Sequence, residues 1–289
     1  MQKILITGGN GQLGSELKEC AKGMAGFELI FTDVAELDIT NAAQVKAFCE
    51  QHQPNFIVNC AAYTAVDKAE IEKEFALLLN ATAVKNLAEA AENVQAYFVH
   101  VSTDYVFDGK NFEPYKEDDK VNPQSEYGRT KLRGEEFALA YSKSMVIRTA
   151  WLYSTFGNNF VKTMLRLGAE KPSLNVVFDQ VGTPTNAADL ASCITNIIKK
   201  VSSGERKFVS GVYHYSNEGV CSWYDFAREI MEQGKRSCEV FPIESKDYPT
   251  PAARPHYSVL NKAKIKATYG VEIPYWKDSL RKCIASLNF

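Results

Sequence analysis

The run Ile4-Leu5-Ile6-Thr7-Gly8-Gly9-Asn10-Gly11-Gln12-Leu13-Gly14 decides the fold. Lys3–Thr7 has the apolar composition of a buried strand, and the glycines after it open a helix expected over Gln12–Met24. Glycines at 8, 11 and 14 permit a tight turn, close approach of backbone to a pyrophosphate, and close packing of helix on strand. Free N–H groups and the dipole at the helix start favour an anion there. Strand, glycine turn and helix in that order predict a dinucleotide site, with Gly8, Gly11 and Gly14 as its backbone.

Outward from this turn, β-rich runs alternate with helical stretches. Strands are expected at Glu28–Asp33, Asn55–Cys60, Ala96–Ser102 and Met145–Ala150. Helices are expected at Ala42–His52, capped by Thr40 or Asn41, at Leu77–Asn93 and at Ser125–Ala140. Asn55–Cys60 is apolar without alternation, as in a strand buried on both faces. This order predicts an α/β protein, a Rossmann-type doubly wound parallel sheet with helices on both faces.

The second half is less regular. Helices are expected at Asn158–Leu167, Asn186–Lys200, Ser222–Gln233 and about Trp276 to Leu287, and a strand at Gly211–Tyr215. Tyr248–Pro255 is proline-rich and cannot be a helix interior. The expected division is a dinucleotide-binding domain over 1–150, with segments about 174–217 and 276–287 returning to it. A smaller C-terminal substrate-binding lobe takes about 151–173 and 218–275.

Composition narrows the function. The 289 residues are 45% hydrophobic, enough for a large core. A net charge of −2 and a pI near 6.2 leave no basic footprint for nucleic acid. Apolar runs fall far short of the ~20 residues of a membrane span, and no secretory signal is seen ahead of the first strand. Seven scattered cysteines without C-x-x-C predict a reduced, cytoplasmic protein with neither disulfide framework nor zinc site. The four histidines are dispersed, and His100, inside the apolar Tyr97–Val101, reads as a satisfied core residue. No metal centre is expected.

Tyr127 and Lys131 stand four apart on one helix, which stacks a phenol and an ammonium on one face. A free tyrosine titrates near ~10, and a close positive charge lowers this. The pair then suits proton transfer to a carbonyl oxygen or from an alcohol. On its own, Y-x-x-x-K is a common spacing on solvated helix faces. Here it has company in Ser102-Thr103-Asp104 at a strand's carboxyl end, where open α/β sheets bind ligands. The Thr103 hydroxyl can hydrogen-bond a substrate carbonyl and steady developing alkoxide charge.

Asp33, about 20 residues past the glycine turn, can bind the adenosine ribose and repel a 2′-phosphate. Asp38 competes for that role, and Ile39 beside it could line an adenine site. No Arg lies between Phe31 and Lys46, which favours NADH while leaving NADPH possible. Small residues in Cys60-Ala61-Ala62-Tyr63-Thr64 would admit a cofactor ribose.

Together these motifs resemble the extended short-chain dehydrogenases/reductases, and more narrowly their branch acting on a 4-keto dTDP-sugar. The matching stretches are Gly8–Gly14, Asn59–Glu70, Ser102–Phe107, Tyr127–Lys131, Arg148–Tyr153, Gly157–Phe160 and Pro249–Pro255. The last is the most specific, because general short-chain reductases have no such segment. The resemblance implies NAD(P)H-dependent reduction of the C4 keto group of dTDP-4-dehydro-L-rhamnose by a monomer or homodimer.

It implies Thr103, Tyr127 and Lys131 as the catalytic set, with Tyr127 the proton donor. Asn10, Gly11, Gln12, Leu13, Asp38, Ile39, Ala61, Ala62, Tyr63 and Lys131 would hold the cofactor. Asp104 and Trp151 would contact the nucleotide sugar. Asn158 and Asn159, opening a helix, could offer N–H groups to the sugar's diphosphate, and Arg254 could neutralise it.

Some relatives dimerise through a magnesium ion on acidic side chains. Glu16 matches one such position, but Thr185–Leu190 offers only Asp189, so no metal requirement is expected. A 4,6-dehydratase would need a second acid after Asp104, where Tyr105 stands. An epimerase of the same fold would hold its cofactor permanently. A non-catalytic regulatory subunit of the methionine adenosyltransferase type is disfavoured by the intact Thr103, Tyr127 and Lys131.

Overall fold

The computed structural model describes residues 1–287. Its first half runs β1 (Gln2–Thr7), α1 (Gln12–Ala21), β2 (Phe27–Thr32), α2 (Ala42–His52), β3 (Phe56–Asn59), the short α3 (Val66–Ala69) and α4 (Lys73–Leu77), and α5 (Ala83–Asn93). Then come β4 (Tyr97–Thr103), α6 (Glu126–Leu139) and β5 (Ser144–Thr149). The second half contributes β6 (Leu152–Tyr153), α7 (Phe160–Glu170), β7 (Ser173–Val177), β8 (Val181–Gly182), β9 (Thr185–Asn186) and α8 (Ala187–Ser202). It ends with β10 (Gly211–His214), β11 (Cys221–Ser222), α9 (Trp223–Gln233), β12 (Glu239–Ile243), α10 (Ala263–Tyr269) and α11 (Trp276–Ala285).

Six strands form one parallel sheet in the order β2-β1-β3-β4-β5-β10. The expected doubly wound α/β architecture is what the chain adopts. Strand alternation explains both layers. Leu5, Ile57, Phe98 and Val146 point to one face, where Val45, Cys49, Val84, Leu87 and Ala138 of α2, α5 and α6 cover them. Ile4, Ile6, Val58, Val99 and Ile147 point to the other, against α1 and α8. Winding reverses between β1 and β3, so their carboxyl ends flank the crevice where open sheets bind ligands.

Local chemistry sets the ends. The Asn41 side chain, rather than Thr40, caps α2 by accepting from Gln44 N–H. Ser125 caps α6, and Ser222 with Asp225 makes a capping box on α9. The helix expected as continuous over Leu77–Asn93 is interrupted by a π turn at Leu78–Thr82. The turn packs closely on α6, where a Cβ at Gly134 would stand 2.1 Å from the Asn80 carbonyl. Side-chain bonds then hold Asn80 to Tyr63 and Thr130.

A second core gathers Met164 and Leu165 of α7, Phe226 and Ile230 of α9, and Trp276, Leu280 and Ile284 of α11. Two sequence expectations change here. The terminal helix packs in this second core instead of returning to the sheet, because its apolar stripe 276-280-283-284 is buried there against α9. Strand β7, assigned with the returning segment, pairs in parallel with β12, which sequence reading left unassigned. Among the described residues no helix is long and apolar enough to cross a membrane.

Candidate active site

The glycine turn is built as its sequence requires. Gly8 sits at φ +67°, and a Cβ there would come within 2.7 Å of Ala61 N. A Cβ at Gly14 would stand 2.3 Å from the Gly8 carbonyl oxygen, so α1 can lie this close to β1 only without a side chain. No side chain caps α1 at Gly11, which leaves its first-turn N–H groups open to a ligand.

Beside the turn lies a groove of about 510 Å³ lined by Gly8, Gly11, Asp33, Asp38, Ile39, Ala61 and Ala62. Bare N–H groups, a cradle that excludes Cβ atoms and a carboxylate at the end of β2 together fit a dinucleotide. Asp33 Oδ2 accepts from Asn10 N–H (3.1 Å) and Oδ1 from Val34 N–H (2.9 Å). The Thr40 hydroxyl and N–H hold the Asp38 carboxyl below its usual range. Two expected cofactor residues stand back from the groove. The Asn10 side chain accepts from Lys18, and the Tyr63 phenol donates to Glu72.

The groove continues into a cavity of about 550 Å³ over the carboxyl ends of β3, β4 and β5. Gly11, Gln12 and Leu13 form one wall, and Thr103, Asp104, Tyr127, Lys131, Trp151, Asn158 and Asn159 are among the residues that line the others. Residues scattered over 148 positions thus meet at one void. The Thr103 hydroxyl donates to Asp104 Oδ1 (3.0 Å) and accepts from Tyr105 N–H (3.3 Å). Burial pushes the Asp104 carboxyl up to about 7, against the partial relief of Thr103 and Ser258. Its Oδ2 has no hydrogen bond of good geometry.

One sequence expectation fails in this cavity. Lys131 was to lower the Tyr127 phenol, but burial raises it, Asp104 and Tyr105 add to the rise, and only Thr103 opposes. The reason is where the amine goes: Lys131 Nζ donates to the Val101 carbonyl (2.7 Å) and lies 3.4 Å from His100 Nε2. Burial lowers Lys131 itself to about 8, against Glu135 and Cys60. His100, as read from sequence, is a satisfied core residue, bonded to Asn59 and held well below its ordinary range by burial.

Beneath the cavity, Ser102 points to the opposite face of β4 from Thr103 and donates to Glu135 (2.5 Å). Glu135 also receives a two-pronged grip from Arg148 Nε (2.9 Å) and Nη2 (2.7 Å), all of it buried. Nothing in the linear sequence marked this cluster. Tyr105 meets Tyr127 edge to face at 5.4 Å, and Gly128 leaves room for the Tyr105 carbonyl.

A neighbouring cavity of about 660 Å³ shares Tyr105 and is lined by Asp67, Phe160, Met164, Gln180, Trp223, Tyr248, Thr250 and Arg254. Arg254 pairs with Asp67 (2.6 Å) and donates to Tyr105 Oη (3.2 Å), which ties the proline-rich segment to the catalytic side. Asp67 was missed as a site residue, although it lies within the matching stretch Asn59–Glu70. Trp223 carried no sequence signal. Its ring stacks on Trp151 at 3.6 Å, and Trp151 sits in the left-handed region at φ +49°. The Asn159 side chain caps α7 and donates to Gln12 Oε1 (3.0 Å), pinning that helix to the glycine turn. Among the described residues no His, Cys, Asp and Glu side chains cluster to hold a metal ion.

Comparison with known proteins adds four findings. The family described as RmlD substrate binding domain matches residues 1–289. A dTDP-4-dehydrorhamnose reductase of Aggregatibacter actinomycetemcomitans is 42% identical, over 97% of this chain and 98% of that protein. A crystal structure of a dTDP-4-dehydrorhamnose reductase from Clostridium acetobutylicum superposes with a TM-score of 0.93 at 48% identity, over 98% of this chain and 99% of its own. One from Bacillus anthracis, solved in complex with NADP, gives 0.92 at 38% identity, over 99% of each chain.

Proposed function

This chain belongs to the RmlD substrate binding domain family, and from that membership we infer that it reduces the C4 keto group of dTDP-4-dehydro-L-rhamnose to give dTDP-L-rhamnose, using NADH or NADPH. The observation that carries the reading is the convergence of Thr103, Tyr127 and Lys131 on one cavity walled by the glycine turn.

When bound in the groove, the reduced nicotinamide supplies hydride to C4. Tyr127 then gives its phenolic proton to the C4 oxygen. Its raised pKa suits this direction, because an alkoxide is a stronger base than even a buried phenolate. Thr103 turns its hydroxyl from Asp104 to the carbonyl and steadies the charge that develops there. Lys131, as an ammonium at the cavity wall, would hold the cofactor ribose. Asp104 and Trp151 hold the sugar, and the cavity between Tyr105, Trp223 and Arg254 takes the dTDP moiety. Arg254 exchanges Asp67 for the diphosphate. The N–H groups at the start of α7, beside Asn158 and Asn159, add to that anion site. Tyr105 stands where a dehydratase would need its second acid. Seven free cysteines suit a reducing cytoplasm.

The test is NAD(P)H oxidation by the purified chain given dTDP-4-dehydrorhamnose. Tyr127→Phe should lower turnover by about 10²–10⁴, the usual contribution of a positioned proton donor, with cofactor affinity unchanged. Full activity in that variant would overturn the assignment.

A further inference from the structure

Under the catalytic helix a buried chain of polar contacts runs Thr7–Asn59–His100–Lys131, and the reaction above makes no use of its middle members. Donor and acceptor chemistry fixes its polarity. Asn59 Oδ1 accepts from the Thr7 hydroxyl (2.7 Å) and from Ala61 N–H (3.1 Å). A backbone N–H can only donate, so the Asn59 amide cannot be turned over, and its Nδ2 faces His100 Nδ1 at 3.0 Å. Nδ1 must therefore accept. A neutral imidazole then carries its one proton on Nε2. That Nε2–H is aimed at Lys131 Nζ, 3.4 Å away.

An ammonium at Lys131 can donate to the Val101 carbonyl, but in His100 it meets a second donor instead of an acceptor. The charged groups facing it are few. Glu135 on its own helix and Cys60 from the end of β3 favour the ammonium, and burial opposes it.

We propose that His100 is a positioning residue for the reduction: locked by Asn59 as the Nε2–H tautomer, it presents a donor to Lys131 and keeps the ammonium proton of that residue loosely held. The catalytic consequence rests on the reductase reading; the tautomer does not. In that reading Lys131 is the group that holds the cofactor ribose, so the pH at which it loses its proton sets the alkaline limb of the reaction.

Two measurements decide it. In the intact wild-type protein labelled with ¹⁵N-histidine, the His100 ring, assigned by its loss in His100→Gln, should show the neutral Nε2–H pattern from pH 5 to 9. An Nδ1–H pattern, or a ring that titrates in that range, overturns the proposal. The pH profile of kcat/KM is the second. Gln can accept from Asn59 and still donate to Lys131, so His100→Gln should keep the alkaline limb near that of the wild type. His100→Phe removes the donor and should raise the limb by roughly one pH unit. A limb unmoved in His100→Phe would leave His100 a packing residue and sink the idea. If His100→Phe does not fold, the wild-type spectrum still decides. Because that spectrum needs no turnover, failure of the reductase assignment and failure of this inference are distinguishable.

Discussion

Asp104→Asn should make the protein more stable, by an amount that grows with pH. The carboxyl is 3% exposed, accepts from Thr103 and has an Oδ2 without a good partner. Burial displaces it from 3.8 to about 7. Below pH 4 it is protonated in folded and unfolded chains alike, and no stability depends on it. Between about 4 and 7 the unfolded chain ionises while the folded chain does not, so stability falls as pH rises. Above 7 the loss is complete. About 3 pH units at 1.36 kcal/mol each make it about 4 kcal/mol.

Asparagine keeps the acceptor for Thr103 and sets an amide N–H₂ where Oδ2 was, beside the Ser258 hydroxyl. Urea unfolding of both chains at pH 5 and pH 8 reads the effect. The advantage of the variant should widen by about 2.5 kcal/mol between those values. An advantage equal at both, or an unfavourable one that does not shrink, would refute the argument that Asp104 resists ionisation in the fold.

Three further outcomes follow from the same contacts. Glu135→Gln leaves Arg148 charged and poorly paired in the core, and urea denaturation should show a loss of about 3–5 kcal/mol. Replacing both by apolar residues of similar volume should recover most of it. Gly14→Ala brings a methyl 2.3 Å from the Gly8 carbonyl, so α1 must lift from the turn. NAD(P)H fluorescence titration should report affinity lower by roughly tenfold or more, matching about 1–3 kcal/mol of overpacking strain. Arg254→Ala removes a charge-assisted contact of about 1.5–3 kcal/mol. It should raise KM for the dTDP-sugar by about tenfold or more while cofactor affinity stays constant.

Strands β1 to β5 and the longer helices between them were readable because each carries its own periodicity, and α2 and α6 their own side-chain caps. The helix expected over Leu77–Asn93 begins earlier, at Lys73, and is not continuous. Its π turn packs against Gly134, more than fifty residues away, a contact no local pattern announces. β7 and β12 are mostly exposed and owe their pairing to each other, so neither carries a strong local signal. Of the site, Gly8, Thr103, Tyr127 and Lys131 could be named because their types and spacing state their chemistry. Trp223 could not, since its contribution is one stacking contact made across the fold.

By itself the sequence determined the doubly wound sheet, the glycine turn and the set of groups able to move a proton. All of these depend on residue type and short spacing, which chain order preserves. Only the tertiary structure decided how those groups behave. Burial, not the neighbouring Lys131, governs the Tyr127 phenol. Asn59 sets the tautomer of His100, and Asp67 and Tyr105 engage Arg254 from far along the chain. Desolvation and long-range pairing exist only once the chain has closed around these side chains, so no reading of order alone contains them.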